Sequence, residues 1–545
     1  MNLSAAEPSS GPPRQTPLDI ANVSGLLRLI LLLVVAIGLL HLAFLPPWEG
    51  YDETAHWSYI QELADNGSSP HEDVDHLSGD VDRFAGPMPY VETAAKGHIT
   101  YRQAKADSRG AAGGGPTEYT QGHDINWEAQ HPPLYYLLMT PFYRLSSNWG
   151  WRDSFLVMRV VSWSLAVSGL AIASIATLRL GHQFQRAALA TSAWPLIAPE
   201  FFPEMARIGN DSLCLFILSI IWVLVLYSIY RPPSRLSPVL LGCALGAGLL
   251  TKAFFIPIGV GTILVVIASR WRVSPRDALV RGITIGVVAC GIGIWWYVLK
   301  LQDTGTLGGG HEFIQLHKTG GLLAGLEKHF SLVQFLWGLV GLPLTFTWPK
   351  TWSYVSPHAW LLLPFTLLCF IPLLNWFRNL PKSNLGAGAP AFFIVPMLAG
   401  LVYHILACIA LYGSGTITPG WYLHVIAPVL AFAWSIGWTG SFIELGIAAT
   451  AMLAAVPLWL MQLSLFSGCA GPNGVGHITW ASSGCFIDLG QLSLLTLPWA
   501  AVPAIATILV TSTLLLVALK DRIVFHGHGL LPGRPLDPPA RGSAT

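Results

Sequence analysis

Long apolar runs, separated by short polar or Pro/Gly-rich segments, organise this chain. A helix needs about 20 mostly apolar residues to cross roughly 30 Å of hydrocarbon. Such runs fall at 26–45, 154–177, 187–201, 212–230, 236–251, 253–269, 282–299, 355–377, 390–412, 421–438, 442–466 and 494–518. The pattern therefore predicts an all-α polytopic membrane protein with about twelve transmembrane helices, the third and fifth short. The one large hydrophilic segment, about 46–153, follows the first run. Within it Ala55, Tyr59, Ile60 and Leu63 recur at helical spacing and predict a helix over 52–65. A second helix is expected over 132–146, with Pro133 in its first turn, whereas the Gly, Asp and Ser-rich stretch 67–124 reads as irregular. A further loop, about 301–354, carries an amphipathic pattern from Leu322 to Leu339, including Glu327, Lys328 and His329, which suits a helix lying at the interface.

Composition agrees with the pattern. Of the 545 residues 53% are hydrophobic and 11% charged, against about 25% charged in soluble domains, which excludes an ordinary soluble enzyme. A net charge of +1 gives no general attraction to nucleic acid, and no nucleic-acid partner is expected. Basic residues fix an orientation, because Lys and Arg in short loops stay cytoplasmic. One set of loops holds Arg179, Arg186, Arg231, Arg235, Arg270, Arg272, Arg276, Arg281, Arg378, Lys382, Lys520 and Arg522; the other short loops hold only Arg207 and Lys252. Both termini are then cytoplasmic, and the 46–153 loop is on the outer face. Tails 1–24 and 523–545, rich in Pro, Ser and Gly, read as disordered and flank a membrane domain over 25–522. Five cysteines lie in apolar runs; Cys469 and Cys485 share a Gly-rich loop and would pair in an oxidising compartment.

The outer loop holds 16 of the 29 acidic residues. The spans are poor in ionisable groups, His404 and Glu444 being the main candidates, which argues against ion pumping. Two constellations in the loop carry candidate chemistry. Pro46-Pro47-Trp48-Glu49-Gly50-Tyr51-Asp52-Glu53-Thr54-Ala55-His56 sets two carboxylates and an imidazole at the end of the first span. Asp52 suits a general base that takes a proton from an acceptor hydroxyl. Glu53 would orient it or join His56 on one helical face. The competing reading is that Asp52 caps the helix and Glu53 complements its dipole. The second constellation, Gln130-His131-Pro132-Pro133-Leu134-Tyr135-Tyr136, either lines the same cleft or forms a structural turn. Trp48, Trp57 and Trp127 are candidates for stacking on sugar rings or for interfacial anchoring. The Asp-x-Asp pairs at 73–75 and 80–82 and the scattered loop histidines lack ligand spacing, so no metal site is assigned.

Asp-Glu-x-x-His after a Pro-rich span end, followed by His-Pro-Pro-Leu-Tyr-Tyr, resembles the GT-C membrane glycosyltransferases, in particular the branch of protein O-mannosyltransferases, aminoarabinose transferases and their bacterial relatives. Arg207-Ile208-Gly209-Asn210-Asp211 resembles that group's Asn-Asp element, and Leu249-Leu250-Thr251-Lys252 its Leu-Thr-Lys segment. The resemblance covers about 26–440. It implies a GT-C-like bundle in a bacterial inner membrane. It also implies a polyprenyl-phosphate sugar as donor, an outer-face hydroxyl on a glycan, lipid or protein as acceptor, and inversion at the anomeric carbon. On this reading Asp52 and Glu53 are catalytic. His56, His131, Tyr135, Arg207, Asn210, Asp211, Lys252, Tyr422 and His424 bind substrate, with Lys252 and Arg207 on the leaving phosphate; both would otherwise snorkel to headgroups. A divalent cation is the one cofactor left open. The chain departs from the group at Pro419-Gly420-Trp421-Tyr422, where relatives often carry Gly-Arg-Tyr. Two alternatives are a lipid-linked glycan flippase, against which the bare spans count, and an inactive relative that holds such a glycan.

Overall fold

The computed structural model describes residues 20–438 except 46, 49, 72–73, 85–116, 233, 309, 349–358 and 381–383, with 471–472, 478–479, 505–507, 509–510 and 513 besides. The protein is a predominantly helical integral membrane protein with almost no strand. Six described helices are long and apolar enough to cross a bilayer: Val23–Ala43, Trp151–Leu178, Asp211–Tyr230, Pro275–Thr304, Leu385–Tyr412 and Gly420–Gly437. The pair Gly321–His329 and Leu332–Thr347, bent by 109°, makes a seventh if counted as one span. Shorter helices Gln185–Ile197, Ser237–Leu249 and Phe255–Trp271 and the helix Ala359–Asn379 cover the remaining apolar runs up to 377. The first ten expected runs thus fall on helical segments, but the described helices do not amount to twelve spans. The runs at 442–466 and 494–518, residues 1–19 and 523–545 of the tails, Glu444, Cys469 and Cys485 lie outside the described residues, a few positions from 505 to 513 apart; residues 20–24, expected in the disordered tail, are instead the first turn of helix Ile20–Phe44.

Residues 322–339 form two helices where one was expected. The break is at Ser331, whose hydroxyl accepts from the Gln334 amide and starts the second helix, and the apolar run from Leu332 enters the bundle. Small residues allow the tightest packing: Ser237–Leu249 lies so near Pro275–Thr304 that a Cβ on Gly242 would sit 3.0 Å from the Ile285 carbonyl oxygen. The core runs between the spans through residues such as Ile37, Trp163, Leu218, Trp222, Phe393 and Phe432. Apolar residues such as Val260, Leu264, Ile283 and Val287 are exposed on the outside of the bundle, as in a protein solvated by lipid.

In the large loop, helices Glu53–Asn66 and Leu134–Ser146 form as the periodicity predicts. They pack through aromatic rings: Tyr59 stacks on Tyr136 at 3.6 Å, and Trp57 meets Tyr143 edge-on at 5.6 Å. The described part of 67–124 is more ordered than expected. His76–Ser78 pairs antiparallel with Gln121–Ile125, aided by bonds from the Tyr119 hydroxyl to the His76 carbonyl and between His76 Nδ1 and the Gly122 carbonyl oxygen.

Candidate active site

The chain leaves the first span and turns sharply, with Trp48 at φ 65° and Asp52 at φ 56°. Left-handed backbone costs a non-glycine residue of order 1–3 kcal/mol unless the surroundings over-determine it. Here they do: Trp48 is fully buried, edge-on to Trp57, Phe84, Trp151 and Phe155. Trp48 and Trp57 therefore anchor the loop and are closed to a sugar ring. Asp52 occupies the N-cap position but its side chain makes no capping bond. Instead Oδ1 accepts from Trp127 Nε1 at 2.9 Å, and the residue stays partly exposed. Burial, and next the charge on Glu128, push its carboxyl up to about 6, against the pull of Arg207, Trp127 and Lys252.

Glu53, the adjacent carboxylate, is engaged elsewhere. Its Oε1 accepts from Arg159 Nε at 2.8 Å and from the Ile208 amide at 2.9 Å, and Oε2 from Arg159 Nη2 and the Gly50 amide. Both side chains of the Glu53–Arg159 pair are fully buried. The expected partnership of Glu53 with Asp52 or His56 is thus replaced by one with Arg159, a charge inside the second apolar run that the reading of the spans passed over.

The Arg207, Asp211 and Lys252 motifs converge. Asp211 accepts from Arg207 Nη2 at 2.9 Å on one oxygen and from Lys252 Nζ at 2.8 Å on the other. Arg207 is held also by Glu204 at 3.0 Å, and its guanidinium lies 5.5 Å from the Tyr51 ring. Lys252 lies 5.1 Å from the Tyr422 ring and 4.7 Å from that of Phe254. Burial is the largest influence and acts to lower the Lys252 ammonium, but Asp211 and the further negative groups around it, Glu128 among them, together outweigh it; the net shift is upward, so Lys252 is charged. Neither cation snorkels: both are buried. Asn210, beside them, is fully buried, and neither atom of its side-chain amide has a hydrogen-bond partner among the described residues. An unmatched buried amide is costly in a folded protein.

His56 and His131 meet through a residue the sequence reading did not single out. Glu128 Oε2 lies 2.9 Å from His131 Nε2 and 3.5 Å from His56 Nδ1. It sits in the 3-10 turn Trp127–Gln130, where the Asn126 side chain accepts from its amide. Its spacing three residues before His131 was the available signal. Burial works to raise Glu128, but the two histidines, His131 foremost, hold it down at about 2. Burial takes His56 down to about 3, so it is neutral, with Nδ1 2.9 Å from the Tyr136 hydroxyl. Tyr135 links the second constellation to the Arg207 segment: the Gly209 amide donates to its hydroxyl at 3.0 Å, and Ser162 lies 2.8 Å away.

Of the late candidates only Tyr422 reaches the cluster. His424 is packed between Phe201 and Phe346, with Nε2 3.1 Å from the Phe346 carbonyl oxygen, and belongs to the core. Trp421 stacks on Tyr51 at 4.1 Å with rings 4° from parallel. The Tyr51 hydroxyl donates to Glu200 at 2.6 Å.

The described residues do not fit a divalent cation. Among those described no group of three or more His, Cys, Asp and Glu side chains is arranged to hold a metal ion. The nearest carboxylates are already matched, Asp211 by Arg207 and Lys252, Glu53 by Arg159 and Glu128 by His131.

No family model matches the chain, and no curated protein does. Its fold is similar to that of solved structures. ArnT from Cupriavidus metallidurans bound to undecaprenyl phosphate superposes with a TM-score of 0.44 at 15% identity, over 92% of this chain and 78% of that one. The Archaeoglobus fulgidus oligosaccharyltransferase tethered to an acceptor peptide gives 0.43 at 14%, over 81% of this chain and 55% of that one. The same organism's AglB with an inhibitory peptide and a dolichol-phosphate gives 0.41 at 14%. The chain thus spans about half the length of the archaeal enzymes, 55%. Likenesses at this level leave the chemistry to the chain's own residues.

Proposed function

We propose that this protein is a GT-C-type membrane glycosyltransferase that moves a sugar from a polyprenyl-phosphate donor to a hydroxyl acceptor at the loop face, inverting the anomeric carbon. The observation that carries this is Asp52: a partly exposed residue whose carboxyl is raised to about 6 and is matched by no salt bridge among the described residues, under the influence of Arg207 and Lys252 in the buried Arg207–Asp211–Lys252 cluster. A base with that value is ionised near neutrality yet close to the working pH, where general-base catalysis is most effective. Asp52 takes the acceptor proton as the acceptor oxygen bonds to the anomeric carbon. The bond from that carbon to the phosphate oxygen breaks, and its electron pair leaves with the polyprenyl phosphate. Lys252 and Arg207, already charged and desolvated, stabilise that leaving group without reorganising. Asn210 offers its unmatched amide to the substrate, and Tyr422 covers Lys252. His56, neutral, and His131, paired with Glu128, position the acceptor beside Asp52. Glu53 acts through the backbone, fixing the turn that presents Asp52.

The test uses the purified full chain in lipid nanodiscs with undecaprenyl-phosphate-linked hexoses and pentoses and a panel of glycan, lipid and peptide hydroxyl acceptors. Wild type is expected to transfer sugar, and Asp52→Asn to fold, bind undecaprenyl phosphate and transfer none. Equal turnover in Asp52→Asn would remove the mechanism. Binding without transfer in wild type would favour the glycan-holding reading, towards which Trp421 in place of an arginine points.

A further inference from the structure

A second polar site lies at the other end of the bundle. Helix Asp211–Tyr230 begins in the candidate active site and runs for 20 residues. At 1.5 Å per residue that is about 30 Å, the thickness of the hydrocarbon layer. At its far end, between it and helices Ser237–Leu249 and Phe255–Trp271, opens a cavity of about 310 Å³. Its wall combines Leu240, Leu241, Val266 and other apolar side chains with three arginines, Arg231, Arg270 and Arg281.

The guanidinium groups are held in place by main-chain oxygens. Arg231 Nη2 donates to the Arg179 carbonyl at 2.8 Å, Arg270 Nη2 to Ser228 at 3.2 Å, and Arg281 Nη1 to Ser234 at 2.9 Å. Carbonyl bonds fix an arginine without neutralising it, and each guanidinium has five N–H donors to fill. One carboxylate offsets the group, Asp277, 2.7 Å from Arg281 Nε. Among the described lining residues there is no carboxylate, so the cavity faces its contents with a net positive charge. The apolar part of the lining includes Leu236 and Leu240, which are themselves exposed at the outer surface. Arginines at the depth of the headgroups beside exposed leucines have the polarity of a lipid site.

We propose that this cavity binds an anionic phospholipid of the leaflet opposite the active site, its phosphate on Arg231, Arg270 and Arg281 and its acyl chains along Leu240 and the neighbouring apolar wall. The site is independent of the transferase reading. It ties together four helices, Asp211–Tyr230, Ser237–Leu249, Phe255–Trp271 and Pro275–Thr304, and Asp211 and Lys252 lie at the opposite ends of the first three, so an occupied site holds the scaffold of those two residues.

The test titrates the delipidated full chain, in a neutral detergent, with phosphatidylglycerol, with phosphatidylcholine of the same acyl chains and with inorganic phosphate, counting bound molecules by native mass spectrometry. Phosphatidylglycerol is expected to bind in preference to phosphatidylcholine, with no competition from millimolar phosphate. Arg231→Gln with Arg270→Gln should weaken phosphatidylglycerol about 30-fold, the scale of two headgroup-level arginines. Leu240→Trp fills the cavity with every arginine intact and should weaken it as well, which decides the matter if the double variant does not fold. Equal binding of the two lipids, displacement by free phosphate, or wild-type binding in Leu240→Trp would each overturn the proposal.

Discussion

Glu53 and Arg159, 106 residues apart in sequence, meet inside the protein with neither side chain exposed. Arg159 also donates to the Leu45 carbonyl at 2.6 Å, so the pair joins the end of the first span to the second and to the start of the loop helix. Removing one member of a buried pair strands the other charge, at a cost of about 3–5 kcal/mol. Glu53→Gln should therefore lower the unfolding temperature of the detergent-solubilised protein sharply, while Asp52→Asn next to it does not. Unfolding of both variants at the same temperature would deny the division between a folding carboxylate and a chemical one.

Asp52 also gives a signed dependence of stability on pH. Its carboxyl is raised from the ordinary 3.8 to about 6, so the folded chain binds this proton more tightly than the unfolded one. The contribution is fully present below about pH 4 and is lost as the pH rises through 6. Asp52→Asn carries no such charge, and Asn tolerates left-handed backbone. The variant should gain unfolding temperature over wild type between pH 5 and pH 7.5. A difference independent of pH would show that Asp52 is not desolvated.

In the proposed reaction Asp52 acts in its ionised form, so kcat/KM should fall below about pH 6. Glu128 is the second cause of that value and, held at about 2, is charged throughout the range. Glu128→Gln removes a like charge and should move the acid limb to lower pH by about half a unit or more, as expected at an effective dielectric of about 20. Gln still accepts from His131, which keeps the loop together. An unmoved limb, measured as kcat/KM against pH, would separate Glu128 from Asp52.

Local patterns were readable and distant contacts were not. Apolar runs located the first ten helical segments because lipid solvation imposes itself on consecutive residues. Arg207 and Asp211 lie four residues apart, across the bend that leads into helix Asp211–Tyr230, so their ion pair needs only local chain geometry. Glu53–Arg159, Tyr51–Glu200 at a separation of 149 and Trp127–Asp52 at 75 depend on how the bundle folds back on itself. His424 misled for a local reason. In the 3-10 turn Gly420–Ile426, neighbouring side chains diverge, and while Tyr422 turns to Lys252, His424 turns into the core.

Trp421 yields the remaining prediction. It is buried, and its face lies against Tyr51, whose hydroxyl is committed to Glu200 and whose ring also meets Arg207. The Trp421 ring thus backs the Tyr51 ring against which Arg207 is placed. Trp421→Phe preserves a stacking face and should keep transfer while costing about 1 kcal/mol, the scale of an aromatic pair. Trp421→Ala opens a cavity beside Tyr51 and should cost about 3–5 kcal/mol. Trp421→Arg introduces the residue common among the proteins this segment resembles, but brings a second guanidinium to the ring already faced by Arg207. Repulsion between the two should displace Arg207 from Glu204 and Asp211 and weaken undecaprenyl phosphate binding. Tighter binding in Trp421→Arg would mean instead that the wall is an arginine site from which the tryptophan excludes the phosphate.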